Sequence, residues 1–286
     1  METLRIIGII LGVLVLSGLI VGISGCANSA FYYPTREVYG NPGQRGITFE
    51  PVTFTSRDGT RLSGWFLPAN DATTGATDAR KAKGTVIHFH GNAQNMTAHW
   101  EFAGWLPARG FNVFVFDYRG YGASEGKPTQ RGLFEDSQAA LDYVRTRPDV
   151  DATRLLVFGQ SLGGNQAIAA VGAGNRAGVR ALAEESTFYS YSFIAGEKVP
   201  GGGVLIGNKY SAAKYVAALP PIPLLMLHGT ADPVVSHKNA VKLFATAKEP
   251  KKLITIEGGG HIDAMTDLRG NVYRDALVRF FEEALK

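Results

Sequence analysis

The chain is almost without cysteine. Cys26 is the only one in 286 residues, so no internal disulfide can form and the core must stand on packing alone. The same scarcity removes the thiolates of a zinc site. The six histidines, His88, His90, His99, His228, His237 and His261, show no zinc-type spacing with another ligand. An excess of one charge is lacking too. Basic side chains number 29 against 25 acidic ones, and the resulting +4 is spread along the chain with no basic run and no aromatic-basic interleaving. Nucleic-acid binding has no support in such a pattern. No internal repeat is visible.

What is present suits one large α/β unit. Apolar residues make up 45% of the chain and charged residues 19%, enough for a sizeable core. The one long uncharged run is Ile6 to Ile23, 18 positions of Ile, Leu, Val, Gly and a single Ser behind Arg5 and the α-amino group. A short basic region followed by an apolar one is a targeting segment, and residues 1–25 are set apart from the fold as signal peptide or membrane anchor. The run closes with Ile23-Ser24-Gly25-Cys26, which resembles a bacterial lipobox. The resemblance implies cleavage between Gly25 and Cys26, lipidation of Cys26 and a place at the bacterial cell envelope. Several acyl chains there would tether the protein firmly. The alternative is an uncleaved transmembrane helix, since 18 apolar residues nearly span a bilayer.

Residues 26–46 are rich in Gly, Pro, Asn and Tyr and read as a linker or a wrapping segment. From Ile47 to Leu67 an alternating pattern surrounds Asp58-Gly59, a hairpin signal for two antiparallel strands. Residues 69–83 are small and polar, a surface loop. Short apolar runs at 84–90, 111–116, 154–158, 179–183, 223–228 and 252–256 then alternate with helical patterns near 96–109, 131–147, 162–174, 237–248 and 268–285. Strands alternating with helices imply a mostly parallel sheet, about eight strands with the hairpin, covered on both faces. The stretch 187–222 breaks the rhythm. It is long, aromatic and carries Gly201-Gly202-Gly203, and it is expected as a lid insertion, with a plain crossover as the alternative.

Residues 159–163 read Gly-Gln-Ser-Leu-Gly, directly after the strand at 154–158 and before a helix. A serine there sits on a sharp strand-to-helix turn with its oxygen exposed, and glycines two positions either side avoid collision with the turn. The helix N-terminus also favours developing negative charge. At this point the chain, from about Ile47 to Lys286, resembles the α/β-hydrolase superfamily, and most closely its small-lid, membrane-associated serine hydrolases. His90-Gly91-Asn92-Ala93 resembles the superfamily's oxyanion loop. The stretch Asp117-Tyr118-Arg119-Gly120-Tyr121-Gly122-Ala123-Ser124-Glu125-Gly126 resembles its signature after the next strand.

The resemblance implies a catalytic triad in the order Ser161, Asp232, His261. His261 is the only histidine in the last 49 residues and follows a glycine-rich loop. Asp232 lies in His228-Gly229-Thr230-Ala231-Asp232, after the strand at 223–228, and Glu185 at the end of the preceding strand is its rival. Asp263, two residues beyond His261, is expected to cap its own loop. The oxyanion hole is expected from the backbone N–H groups of Leu162 and Asn92, with Ala93 the alternative to the latter. Asp117 and Arg119 read as a charge-assisted pair holding a tight turn. His88 and His90 share a strand face but have no third ligand, so no metal is expected, and no cofactor. The expected reaction is hydrolysis of a small-molecule acyl ester through an acyl-enzyme. A peptidase or amidase on the same triad, or a tethered binding protein without activity, stands as the rival.

Overall fold

The computed structural model describes residues 31–70, 77–204 and 206–286. The apolar run, Cys26 and the expected cleavage point lie outside the described residues. Among those described, no helix is long and apolar enough to cross a membrane.

Eight strands form one sheet among the described residues: β1 (Glu50–Thr55), β2 (Arg61–Leu67), β3 (Thr85–Phe89), β4 (Asn112–Phe116), β5 (Leu155–Gln160), β6 (Val179–Glu185), β7 (Leu224–Gly229) and β8 (Lys251–Ile256). Their spatial order is β8-β7-β6-β5-β3-β4-β2-β1. Strands β3 to β8 run parallel, while β2 pairs antiparallel with both β1 and β4. This is the α/β-hydrolase fold.

Alternation along each strand builds two cores. In β4, Phe114 and Phe116 point to one face and Val113 and Val115 to the other, all buried. The first face is covered by α1 (Gln130–Thr146), α2 (Leu162–Gly172) and α4 (Lys238–Thr246), through Leu133, Leu141, Ile168, Val171 and Leu243. The second is covered by α5 (Val272–Ala284) through Leu277 and Phe281, and by Met96, Trp100 and Leu106. A central strand buried on both faces needs a near-continuous apolar run, which is why β4 carries no polar residue after Asn112.

The pattern at 96–109 does not make one helix. It forms one α-turn (Met96–His99) and two 3₁₀ turns (Trp100–Phe102 and Pro107–Arg109). Pro107 removes a donor and Gly104 weakens the run, so the backbone breaks where the apolar spacing alone would continue.

Residues 31–46 lie on the sheet domain itself. Tyr33–Pro34 pairs in parallel with Ala93–Gln94, and Tyr32 is buried in the first core. The stretch 187–222 holds α3 (Tyr191–Lys198) and a single turn at Ala212–Tyr215. It is bound down to α2 where Asn165 Nδ2 donates to the Tyr210 carbonyl at 3.0 Å and the Ala212 N–H donates to Asn165 Oδ1 at 2.7 Å. Strand order reverses between β3 and β5, and ligands of open α/β sheets bind beyond the carboxyl ends of strands at such a point.

Candidate active site

Ser161 stands where β5 ends and α2 begins, with φ 52° and ψ −117°. A non-glycine residue held there stores strain, of order 1–3 kcal/mol, and survives only when its surroundings over-determine it. The surroundings do so. A Cβ on Gly163 would lie 1.9 Å from the Phe89 carbonyl oxygen, and one on Gly159 would lie 2.6 Å from that of Gly163. The Ser161 N–H donates to the Glu185 carbonyl at 2.8 Å, and Thr187 Oγ1 donates to the Ser161 carbonyl at 2.7 Å.

Asp232 follows β7 and its carboxylate is buried. One oxygen accepts the backbone N–H groups of Val234 (2.8 Å) and Val235 (2.9 Å), and the other lies 2.8 Å from His261 Nδ1. Burial pushes this carboxyl up, but the His261 bond and the two backbone donors outweigh it and hold the group below the usual carboxylate range. An ionised Asp232 requires the proton on Nδ1, which leaves the Nε2 lone pair of His261 free to act as a base. Among the described residues no hydrogen bond joins Ser161 Oγ to His261. Such bonds commonly tighten only with substrate bound.

Glu185 makes no hydrogen bond or ion pair with the imidazole among the described residues. Its Oε1 accepts the Ala264 N–H at 2.7 Å and its Oε2 accepts from Gln160 Nε2 at 2.7 Å, while Gln160 Oε1 lies 3.1 Å from His88 Nε2. Glu185 therefore ties the serine turn, through Gln160 and its own carbonyl, to the loop that carries His261. Burial raises its pKa to about 7. Asp263 caps the same loop, accepting from the Gly260 N–H at 2.9 Å and pairing with Arg269 at 2.7 Å. Backbone strain gathers here. Of four non-glycine residues with positive φ among those described, Ser161, Ser186 and Ile262 adjoin these groups, and the Ile262 N–H reaches Ser186 Oγ at 3.4 Å. A β-branched residue at φ 48° is an outlier that nothing in the sequence pattern signals.

Ser161, Leu162 and Asn92 line one cavity of about 530 Å³. Its other walls are apolar, chiefly Phe31, Phe188, Ile194, Val199, Ile206 and Val235, and among the described residues Lys198 is the one charged side chain that lines it. Among the described residues, neither the Leu162 nor the Asn92 backbone N–H has a hydrogen-bond partner. The Asn92 side chain is occupied elsewhere. It donates to the Phe31 carbonyl at 2.6 Å and accepts from Tyr121 OH at 2.8 Å, so it pins the N-terminal wrap. A larger groove of about 1000 Å³ between Phe54, Arg131, Tyr143 and Tyr210 touches none of Ser161, Asp232 and His261.

Asp117 and Arg119 do not pair with each other. Arg119 is clamped by Asp136 and Asp58, each at 2.7 Å, while Asp117 accepts the Met96 N–H at 2.7 Å and lies 3.3 Å from His90 Nε2. In a continuing strand residues two apart would share a face and could meet. Here it turns at Gly120, and the longer-range carboxylates win. His90 Nδ1 donates to the Gly91 carbonyl at 2.7 Å. Among the described residues no group of three His, Cys, Asp or Glu could hold a metal ion.

The uncharacterized protein YfhR of Escherichia coli O157:H7 is 50% identical over 255 residues, covering 89% of this chain and 87% of YfhR. The alpha/beta hydrolase domain-containing protein WAV2 of Arabidopsis thaliana is 33% identical over 264 residues, covering 85% of this chain and 81% of WAV2. Residues 80–195 match the family described as serine aminopeptidase, S33. The chain belongs to the α/β-hydrolase superfamily. In fold this hydrolase is similar to an esterase of Pyrococcus furiosus, Pf2001, with a TM-score of 0.71 at 18% identity over 90% of this chain and 98% of the esterase. It is also similar to the dipeptidyl peptidase 4 of Porphyromonas gingivalis, with a TM-score of 0.62 at 17% identity over 83% of this chain and 35% of the peptidase. Those two likenesses speak for the fold alone.

Proposed function

We propose that this hydrolase cleaves carboxylic esters or thioesters of apolar acyl groups through an acyl-enzyme, with Ser161 as nucleophile, His261 as base and Asp232 as its orienting acid. In this reading Ser161 Oγ attacks the carbonyl carbon as His261 Nε2 takes its proton. The buried Asp232 carboxylate stabilises the imidazolium. The oxyanion is received by the Leu162 and Asn92 N–H groups, each such donor contributing about 3 kcal/mol in the transition state. The imidazolium then protonates the departing alkoxide or thiolate. A water activated by the same base releases the acid. A tether at the bacterial cell envelope, through Cys26 or the apolar run before it, belongs to the proposal.

The observation that carries the acyl reading is the cavity beside Ser161, walled by aromatic and aliphatic side chains. The match to an aminopeptidase family favours a second reading, cleavage of an amide next to a free amine. An ammonium group needs a carboxylate to replace its hydration. No acidic side chain lines this cavity among the described residues, and its one charge is the cation Lys198. That argues for the ester. A series of p-nitrophenyl esters set against aminoacyl anilides tests the choice. Esters of medium or long acyl chains are expected to turn over and anilides to fail; preferential cleavage of anilides would overturn the acyl reading.

A further inference from the structure

The mouth of the cavity carries more exposed apolar surface than its lining needs. Tyr33, Val199 and Val234 line the cavity and are still 62%, 59% and 45% exposed. Val204 is 86% exposed on the turn that follows Gly202, another lining residue. Apolar side chains gathered around one opening mark an interaction surface rather than chance exposure.

The chain's own course says what meets that surface. Phe31, the first described residue, lines the cavity. Only residues 24–30 separate it from the uncharged run that ends at Ile23. Fully extended, the eight steps from Ile23 to Phe31 reach at most about 29 Å, and the five from Cys26 about 18 Å. A bilayer holding either anchor is thus kept within about 29 Å of Phe31, which lines the opening. Lys198 at the mouth adds a cation that phosphate headgroups accommodate, and its ammonium sits 3.3 Å from the Pro233 carbonyl beside Val234.

We infer that the cavity mouth docks on a phospholipid bilayer, with Tyr33, Val199, Val204 and Val234 dipping into the interface, so that an acyl substrate passes from the lipid phase to Ser161 without crossing water. The passage of substrate rests on the acyl reading of the cavity; the docking geometry is measured separately. Interfacial apolar faces sit about 5–10 Å into the headgroup and acyl boundary, within reach of brominated acyl chains.

The test uses the full chain carrying Ser161→Ala, bound to phosphatidylcholine vesicles with or without brominated acyl chains. An indole is introduced by Val204→Trp, or by Lys248→Trp as control. Lys248 is exposed just ahead of β8, at the opposite end of the strands from Ser161. The emission of the parent tryptophans is subtracted. The indole at position 204 is expected to lose about half its emission in brominated vesicles while the one at 248 loses none. Three results would overturn the inference: no quenching at 204 in chain that floats with the vesicles, chain that does not float, or shielding at 204 that grows with protein concentration in the absence of lipid, which would assign the surface to a second copy. Soluble-ester turnover by the parent is scored on its own. A chain that docks mouth-down but leaves soluble esters intact refutes the catalytic reading and keeps the docking.

Discussion

The turn around Ser161 and the cap over its cavity are built by opposite means. The turn has no spare room: glycines whose Cβ atoms would strike backbone, a serine at positive φ, and buried hydrogen bonds from β3 to the His261 loop. The cap, from Phe188 to Val204 with Phe31, Tyr33 and Ile206, is a short helix and turns with valines exposed to solvent. A reacting centre must hold its groups to fractions of an ångström, whereas an apolar pocket needs only shape and the exclusion of water. In the proposed reading, chemistry sits in the rigid region and substrate choice in the looser one.

The largest effects should therefore come from the turn and its partners. Ser161→Ala is expected to lower ester turnover by about 10⁶-fold with the melting temperature unchanged, measured with p-nitrophenyl esters and a thermal scan. Asp232→Asn keeps the shape but favours the wrong imidazole tautomer, and should cost about 10⁴-fold. If Asp232→Asn keeps near-parent activity while a Glu185 substitution abolishes it, the orienting acid has been misassigned. The cap should respond differently. Ile194→Trp fills the cavity from α3, and is expected to reduce kcat/KM for long acyl chains by about 10²-fold while short esters change little. A uniform loss across chain lengths would show that the cap supports the catalytic turn and erase the contrast.

The same contrast governs what could be read in advance. Gly159-Gln160-Ser161-Leu162-Gly163 announces its turn because strain admits few residues there, and the eight strands announce themselves through buried runs and alternation. The Asp232–His261 bond followed from chain order in a recognised fold. Long-range choices were not legible. Arg119 selects Asp58 and Asp136 over Asp117, two residues away, because the path of the chain decides which carboxylate arrives. The backbone of Ile262 at φ 48° contradicts the local preference of isoleucine and is imposed by its neighbours. Phe31 and Tyr33 became cavity walls through a two-residue pairing with Ala93–Gln94 that carries no periodic signal.

The smallest expected effect tests how rigidly the turn is backed. Glu184, on β6 beneath α2, is fully buried, and only one of its carboxylate oxygens finds a partner, the Thr187 N–H at 2.9 Å. Burial raises its pKa to about 8, against about 4.5 for the same group in the unfolded chain. A carboxyl whose pKa rises on folding binds its proton more tightly in the folded state. Its contribution to stability is therefore complete below about pH 4.5 and is lost as pH climbs through about 8. Each unit of displacement is worth about 1.4 kcal/mol. Glu184→Gln keeps the acceptor for Thr187 and cannot ionise, so its melting temperature should fall less than the parent's between pH 5 and pH 9. Glu185, pushed to about 7 by the same burial, remains in both proteins, so part of the parent's decline must survive the substitution. Equal slopes in the two proteins would mean that the base of the turn admits water and relaxes as freely as the cap.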